Sequence, residues 1–156
     1  MVLCDVGVLV SAGMAGSPHH VPCRRALQTL LKTGDLFAVS ELVLAAVVRI
    51  STNARIWKIP ATPESAFAFV NTVRAHSRAV TVAPAGRHWR IFEDLVLQLG
   101  IKGGDTTDAY LAALAQEHGC EWWTTDAGFS RFSGLRWRNL LADPLSAATQ
   151  GTKRQG

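Results

Sequence analysis

The chain has 156 residues, 48% of them apolar and 18% charged, with a net charge of +4. That length fits one domain around one core, and the apolar share excludes an intrinsically disordered chain. No run approaches the roughly 18 unbroken apolar residues of a membrane helix, and Cys4, Cys23 and Cys120 show no spacing of a disulfide framework or a zinc site.

The charge is unevenly placed. Residues 1–126 hold eleven basic and eleven acidic residues, whereas 127–156 hold Arg131, Arg136, Arg138, Lys153 and Arg154 against Asp143 alone. Such a segment attracts a polyanion, and it equally suits a solvated terminal tail. The expected organisation is one domain over 1–145 and a flexible basic tail over 146–156. The apolar start, Met1 to Ala12, has no basic leader and is interrupted by Asp5, which a secretory signal does not tolerate. A cytoplasmic protein with buried, reduced thiols is expected.

In chain order, Val2 to Val10 reads as a buried strand, followed by a turn with Pro18 and Pro22 and a helix from Arg24 to Leu31. Leu36 to Val39 reads as a second strand, and Ser40 is placed to cap a helix from Glu41 towards Ile50. Thr62-Pro63-Glu64 is a helix start, and Ala79 to Ala83 a strand. Trp89 to Leu99 is an amphipathic helix, and Thr107 is placed to cap another over Asp108 to His118, ended by Gly119. Glu121 to Thr125 and Leu135 to Leu140 complete the strands. Strands alternating with helices predict an α/β fold with a parallel sheet covered on both faces.

The acids follow this alternation. Asp5 interrupts the first apolar run, where a carboxylate is costly unless it is hydrogen-bonded or binds a cation. Glu41 follows the second strand, Asp108 opens a helix and Asp126 ends the Trp122–Thr125 strand. In a parallel sheet, strand ends and the helix starts that follow them share one edge. Four carboxylates on one rim require a counter-charge, and an oxygen-only donor set suits Mg²⁺ or Mn²⁺. Read singly, Glu41 and Asp108 equally suit helix N-termini, and Asp126 suits a turn.

Four segments carry a resemblance: Asp5-Val6-Gly7-Val8-Leu9, Ser40-Glu41-Leu42-Val43-Leu44, Thr107-Asp108-Ala109-Tyr110-Leu111-Ala112-Ala113-Leu114-Ala115, and Thr124-Thr125-Asp126-Ala127-Gly128-Phe129-Ser130-Arg131-Phe132. Their order resembles the PIN-domain family over about residues 1–145, and within it the VapC toxins of mycobacteria. The resemblance implies a single Rossmann-like three-layer α/β/α domain. It implies a Mg²⁺- or Mn²⁺-dependent endoribonuclease that cuts structured RNA, tRNA or rRNA, by metal-activated water, and neutralisation by a VapB antitoxin. Its catalytic and metal-ligating acids fall on Asp5, Glu41, Asp108 and Asp126, and its neighbouring hydroxyl on Thr124. Two positions depart from the family: Gly7, where Asn or Ser is usual, and Gly128, where a further acid is common.

Other residues have two readings. Asp105, after Gly103-Gly104, reads as a loop residue or an auxiliary acid, and His19-His20 as a loop pair. Trp122 and Trp123 read as core or interface aromatics. Arg131 and the Arg136-Trp137-Arg138 triplet are candidates for gripping RNA, and the triplet equally suits an edge strand with solvated arginines. A homodimer is expected from the apolar helices, and no membrane partner. Two rival functions stand beside the nuclease. One is a metal-dependent phosphatase, disfavoured because Gly7 breaks its Asp-x-Asp. The other is a degenerate, non-catalytic PIN-fold module retained for protein contacts.

Overall fold

A computed structural model describes residues 1–142, so the tail expected over 146–156 lies outside the described residues. The elements are β1 (Val2–Cys4), α1 (Val6–Gly13), α2 (His20–Lys32), β2 (Phe37–Val39), α3 (Glu41–Ser51), α4 (Pro63–Arg74), β3 (Ala79–Thr81), α5 (His88–Leu99), α6 (Asp105–Glu117), β4 (Glu121–Thr124), a short 3₁₀ turn (Ala127–Arg131) and β5 (Trp137–Asn139). The strands form one sheet in the order β3-β2-β1-β4-β5, and every neighbouring pair is parallel. Parallel neighbours need crossover connections, which the helices supply. The chain runs outward from β1 to β3 and then returns past β1 to β4, and the right-handed rule for such crossovers puts helices on both faces. α1 packs on α2 and α3, α3 on α4, and α5 on α6. This is the three-layer α/β/α architecture that the alternation predicts. None of the described helices is long and apolar enough to cross a membrane.

The core is centred on β1 and β4. Leu3, Val8, Phe37, Leu114, Trp122 and Phe129 are each at most 2% exposed, and all three cysteines are free and buried. Trp122 and Trp123 are core residues, as expected, although neither indole N–H finds a partner.

The first apolar run is not one strand. It breaks at Asp5 into the three-residue β1 and the helix α1. A run buried on all sides shows neither a period of two nor one of 3.6, so periodicity does not separate strand from helix. The change falls at Asp5, whose backbone takes the extended conformation of a helix N-cap (φ −63°, ψ 155°) while its carboxylate makes no cap hydrogen bond and meets Thr124 instead. Two further starts differ from expectation. α2 begins at His20 and includes Pro22, which the first turn tolerates because its N–H groups have no helical partner. α6 begins at Asp105 rather than after Thr107, so Asp105 is a first-turn residue and not a loop residue. Gly103 (φ 60°) makes the reversal that lets the helix start early.

The remaining boundaries follow their chemistry. Thr62 caps α4 by accepting a hydrogen bond from Ser65 N–H at 3.1 Å, with Pro63 at the first position. Gly119 (φ 62°) turns the chain out of α6, and Cys120 N–H donates back to Ala115 O at 2.8 Å. Ser40 stands at the N-cap of α3 without a side-chain cap bond.

Glu117 ties the two helices of one layer together. Its carboxylate accepts from Ala85 N–H and Arg87 N–H, both at 2.8 Å, just ahead of α5. Burial pushes this carboxyl up, but the two backbone donors, with His118 and His88, outweigh that and hold it below its ordinary value of 4.5. Glu117→Gln is expected to lower stability by on the order of 1 kcal/mol at neutral pH. Because the native pKa is depressed, the advantage of wild type is complete above about pH 5 and is lost as pH falls through that native pKa. Paired urea titrations from pH 7 to pH 3 check this; a gap that widens on acidification would contradict the assignment.

Candidate active site

In the order β3-β2-β1-β4-β5, the chain reverses direction across the sheet between β1 and β4. Loops leaving two such strands separate to opposite faces and open a crevice at their carboxyl ends. Asp5 leaves β1 there, and Thr124 is the last residue of β4. Cys4 pairs with Trp123, and Asp5 N–H donates to Trp123 O at 2.8 Å, so the two strand ends are in register.

A single hydroxyl joins the two strands. Thr124, fully buried, donates its Oγ1–H to Asp5 Oδ2 at 2.6 Å and accepts Asp126 N–H at 3.0 Å. Asp126 in turn caps the 3₁₀ turn, its Oδ1 accepting Gly128 N–H at 2.7 Å. Burial pushes the Asp5 carboxyl up to about 6. Thr124 and the Val6 N–H pull it down, while the charges of Asp108 and Asp126 push it up again. Asp108, in the first turn of α6, is raised mainly by burial; Arg131 opposes this, and Asp126 and Asp105 add to it. Asp5, Asp108 and Asp126 therefore sense one another across 121 residues of sequence, with Asp105 at the margin.

Glu41 is set apart. It begins α3 at the carboxyl end of β2, but its Oε1 accepts from Arg74 Nη2 at 2.6 Å and Nε at 3.0 Å, and its side chain is 62% exposed. The charges that raise Asp5 are Asp108 and Asp126, not Glu41. Asp108 likewise faces an arginine, Arg131 Nη2 lying 3.1 Å from its Oδ2. With the acids held in this way, no three His, Cys, Asp or Glu side chains among the described residues converge on a point where an ion would sit. The donor chemistry nonetheless fits a hard divalent cation: the acids supply only oxygen, and Asp5 is buried with too little positive charge near it. Asp5, Asp108 and Asp126 could hold such an ion, and Glu41 could join once released from Arg74.

The other candidates find internal partners. Arg131 also reaches Asp105 Oδ2 at 3.5 Å. Arg136 donates through Nη2 to Gly119 O, closing the end of α6. Trp137 lies half-buried against the core in β5, and Arg138 lies 5.5 Å over the Trp123 ring. The triplet thus helps to bind β5 to the rest of the sheet. His20 of the loop pair is used structurally, with Nδ1 2.8 Å from Ser11 O. Sequence reasoning missed Arg74, and it singled out Arg131 for RNA without foreseeing its pairing with Asp108. Arg74 is 33 residues from Glu41, and no local pattern marks such a pair.

At Gly7 an added Cβ would meet only Thr125 Oγ1 at 3.6 Å, ordinary contact, so the missing side chain leaves usable space beside Asp5. At Gly128 the Cβ would lie 3.0 Å from Asp126 Oδ1, so a side chain there shifts that carboxylate by a few tenths of an ångström.

The PIN domain family model matches residues 2–135. The chain belongs to the PIN-domain family. Ribonuclease VapC43 of Mycobacterium tuberculosis is 36% identical over 141 residues, covering 90% of this chain and 96% of the relative. Ribonuclease VapC25 of the same organism is 37% identical over 136 residues, covering 87% and 96%. Among solved structures, VapBC2 from Rickettsia felis bound to a promoter DNA fragment superposes with a TM-score of 0.64 at 19% identity, covering 89% of this chain and 98% of the other. Mycobacterium tuberculosis VapC20, described as a sarcin-ricin loop cleaving toxin, superposes with a TM-score of 0.60 at 19% identity, covering 87% and 99%. These structural likenesses concern the fold; the sequence identities carry the family.

The Asp5 environment has a signed consequence for this PIN domain. A carboxyl raised from 3.8 to about 6 opposes folding once it is charged. In EDTA, Asp5→Asn is expected to stabilise the protein, on the order of 2 kcal/mol above pH 6. The gain fades as pH falls through 6 and is nearly gone by about pH 4, where the folded-state carboxyl is protonated and the unfolded-state one begins to be. Thermal melts of the two proteins between pH 4 and pH 8 test this, and a pH-independent gain would rule out titration of Asp5 as its source.

Proposed function

We infer that this protein is a VapC-type endoribonuclease toxin of a toxin–antitoxin pair. One observation carries the reading: in a PIN domain with VapC relatives, Asp5 and Asp126 meet on one buried threonine at the switch point of the sheet, with Asp108 near enough for its charge to act on Asp5. Asp5 and Asp126 are held in place by Thr124, and Asp108 approaches from the first turn of α6. These residues would hold Mg²⁺ or Mn²⁺, with Glu41 added from α3. The bound ion would activate the attacking water and neutralise charge gathering on the phosphate in flight.

The protein's own contribution is orientation. Thr124 fixes Asp5 through its Oδ2. The Gly128 N–H fixes Asp126 through its Oδ1. Attack of water in line with the leaving 3′ oxygen would give a 5′-phosphate and a 3′-hydroxyl, with no part for the RNA 2′-hydroxyl. Substrates of the class expected from the resemblance are structured tRNA or rRNA, and the partner is a VapB-type antitoxin whose blocking group would be a cation presented to the acids. A homodimer is part of the same reading. Leu42 on α3 is 51% exposed and Phe67 on α4 is 54% exposed, whereas Val43, Leu44, Val47, Val70 and Val73 on the same helices are consumed by the core.

Asp5→Asn is expected to cut Mg²⁺-dependent cleavage of a total tRNA and rRNA preparation by at least about a hundredfold while the protein stays folded. An unchanged rate in that assay, with circular dichroism unaltered, would show that Asp5 is not part of the metal site, and no cleavage by wild type would return the protein to the non-catalytic reading. Gly128→Asp adds a fourth carboxylate beside Asp126 without requiring positive φ. It is expected to lower the Mg²⁺ concentration for half-maximal cleavage and to lower the melting temperature in EDTA. A folded variant that needs more Mg²⁺ than wild type would show that displacing Asp126 outweighs the added charge.

A further inference from the structure

Arg131 occupies a place in the acidic site that RNA contact alone does not explain. Its guanidinium divides between two carboxylates of one helical turn, Nη1 lying 3.5 Å from Asp105 Oδ2 and Nη2 3.1 Å from Asp108 Oδ2. Each contact uses one nitrogen and one oxygen, so neither is the parallel two-bond fork that makes an arginine–carboxylate pair tight. The side chain is 34% exposed, and the guanidinium lies 4.9 Å over the Phe132 ring. Phe129 and Phe132 are both buried, so the backbone that carries Arg131 is anchored while its charged head faces the crevice edge.

The charges do not balance. Asp105 and Asp108 share one arginine while Asp126 adds its charge beside them, and Asp108 remains above its ordinary range: burial raises it, Arg131 lowers it, and Asp126 and Asp105 raise it again. One guanidinium leaves the cluster short of positive charge. A divalent ion beside these acids brings twice that charge and repels any cation held within hydrogen-bond reach of the same carboxylate.

We propose that Arg131 is the resident counter-cation of this site: it holds Asp105 and Asp108 while no divalent ion is bound, and passes to a phosphate of the RNA backbone once the ion takes over the acids. This rests on the metal-site reading above and adds a role for a residue of this chain. A metal ion and an arginine that compete for Asp108 become, after the exchange, two cations acting on different parts of one phosphodiester. The 3₁₀ turn fixes Asp126 and Arg131 five residues apart, so the exchange needs only a side-chain rotation. The proposal requires one substitution to have two opposite effects, which a merely structural arginine would not produce.

Arg131→Met removes the charge and keeps the stem packed on Phe132. Calorimetric titration of the full chain with MgCl₂ is expected to give a Kd about tenfold tighter for this variant than for wild type. Arg131→Lys, which keeps the charge, is expected to stay within about twofold of wild type. Anisotropy of a labelled single-stranded RNA with a phosphorothioate backbone, which resists cleavage and keeps its charge, reads the second effect without altering any acid of the site. Saturating Mg²⁺ should reveal a loss of about threefold or more for Arg131→Met and a salt slope lower by about 0.7; in EDTA the two proteins should bind alike. Mg²⁺ affinity that is unchanged or weaker in Arg131→Met overturns the proposal, as does an RNA-binding loss of equal size with and without Mg²⁺. Arg131→Gln gives the same reading if the methionine variant misfolds. Wild type binding Mg²⁺ and Asp108→Asn failing to bind it, with Arg131→Met unchanged, would overturn the Arg131 role alone. No Mg²⁺ binding by wild type would overturn the metal-site reading with it.

Discussion

The Thr124 hydroxyl links the two central strands and so organises the candidate site. It donates to Asp5 and accepts from the Asp126 backbone, and with no exposed surface it has no water to replace either partner. Parallel pairing of β1 with β4 brings the hydroxyl to Asp5, and the sheet order makes these strands neighbours although 119 residues separate the bonded side chains. Loss of this bond would leave a buried carboxylate without its shortest donor, a cost that rises steeply in a low-dielectric crevice. A threonine fits the task because its hydroxyl both gives and accepts a hydrogen bond and its methyl group packs in the core.

Around that link the protein accommodates negative charge in three ways. Asp5 is buried and pushed towards protonation; Asp126 accepts the Gly128 N–H; Glu41 and Asp108 each face an arginine. The two aspartates held above their ordinary range, Asp5 and Asp108, both belong to the residues assigned to the chemistry. Glu117 shows the contrast. Its carboxylate is also little exposed, yet two backbone donors hold its pKa down, so its charge favours the fold. Two carboxylates on the same scaffold thus pull stability in opposite directions with pH, because burial prevails at Asp5 whereas backbone donors outweigh it at Glu117.

The arginines also change the meaning of the basic residues near the end of the described chain. Arg136 closes a helix end and Arg138 covers Trp123, so the surplus positive charge seen in the sequence is partly committed to holding β5 in place. Arg131 sits between fold and site: its backbone belongs to a turn anchored by two buried phenylalanines, and its head belongs to the acids.

Much of this was determined by the sequence alone. Alternating apolar segments separated by turn and cap residues specify a parallel α/β sheet, and acids placed after strands must then share one rim, because all parallel strands end on the same side. The segments around Asp5, Glu41, Asp108 and Asp126 carry the family. Local pattern could not decide where the first run changes from strand to helix, since a segment buried on every side has no polar face to reveal its period. It could not show that Asp105 begins α6, because a glycine pair permits both a loop and an early helix start. Nor could it show that Glu41 turns to Arg74 and Asp108 to Arg131. Ion pairs between residues 33 and 23 positions apart depend on how helices and turns are set beside one another, and only the packed tertiary structure decides that.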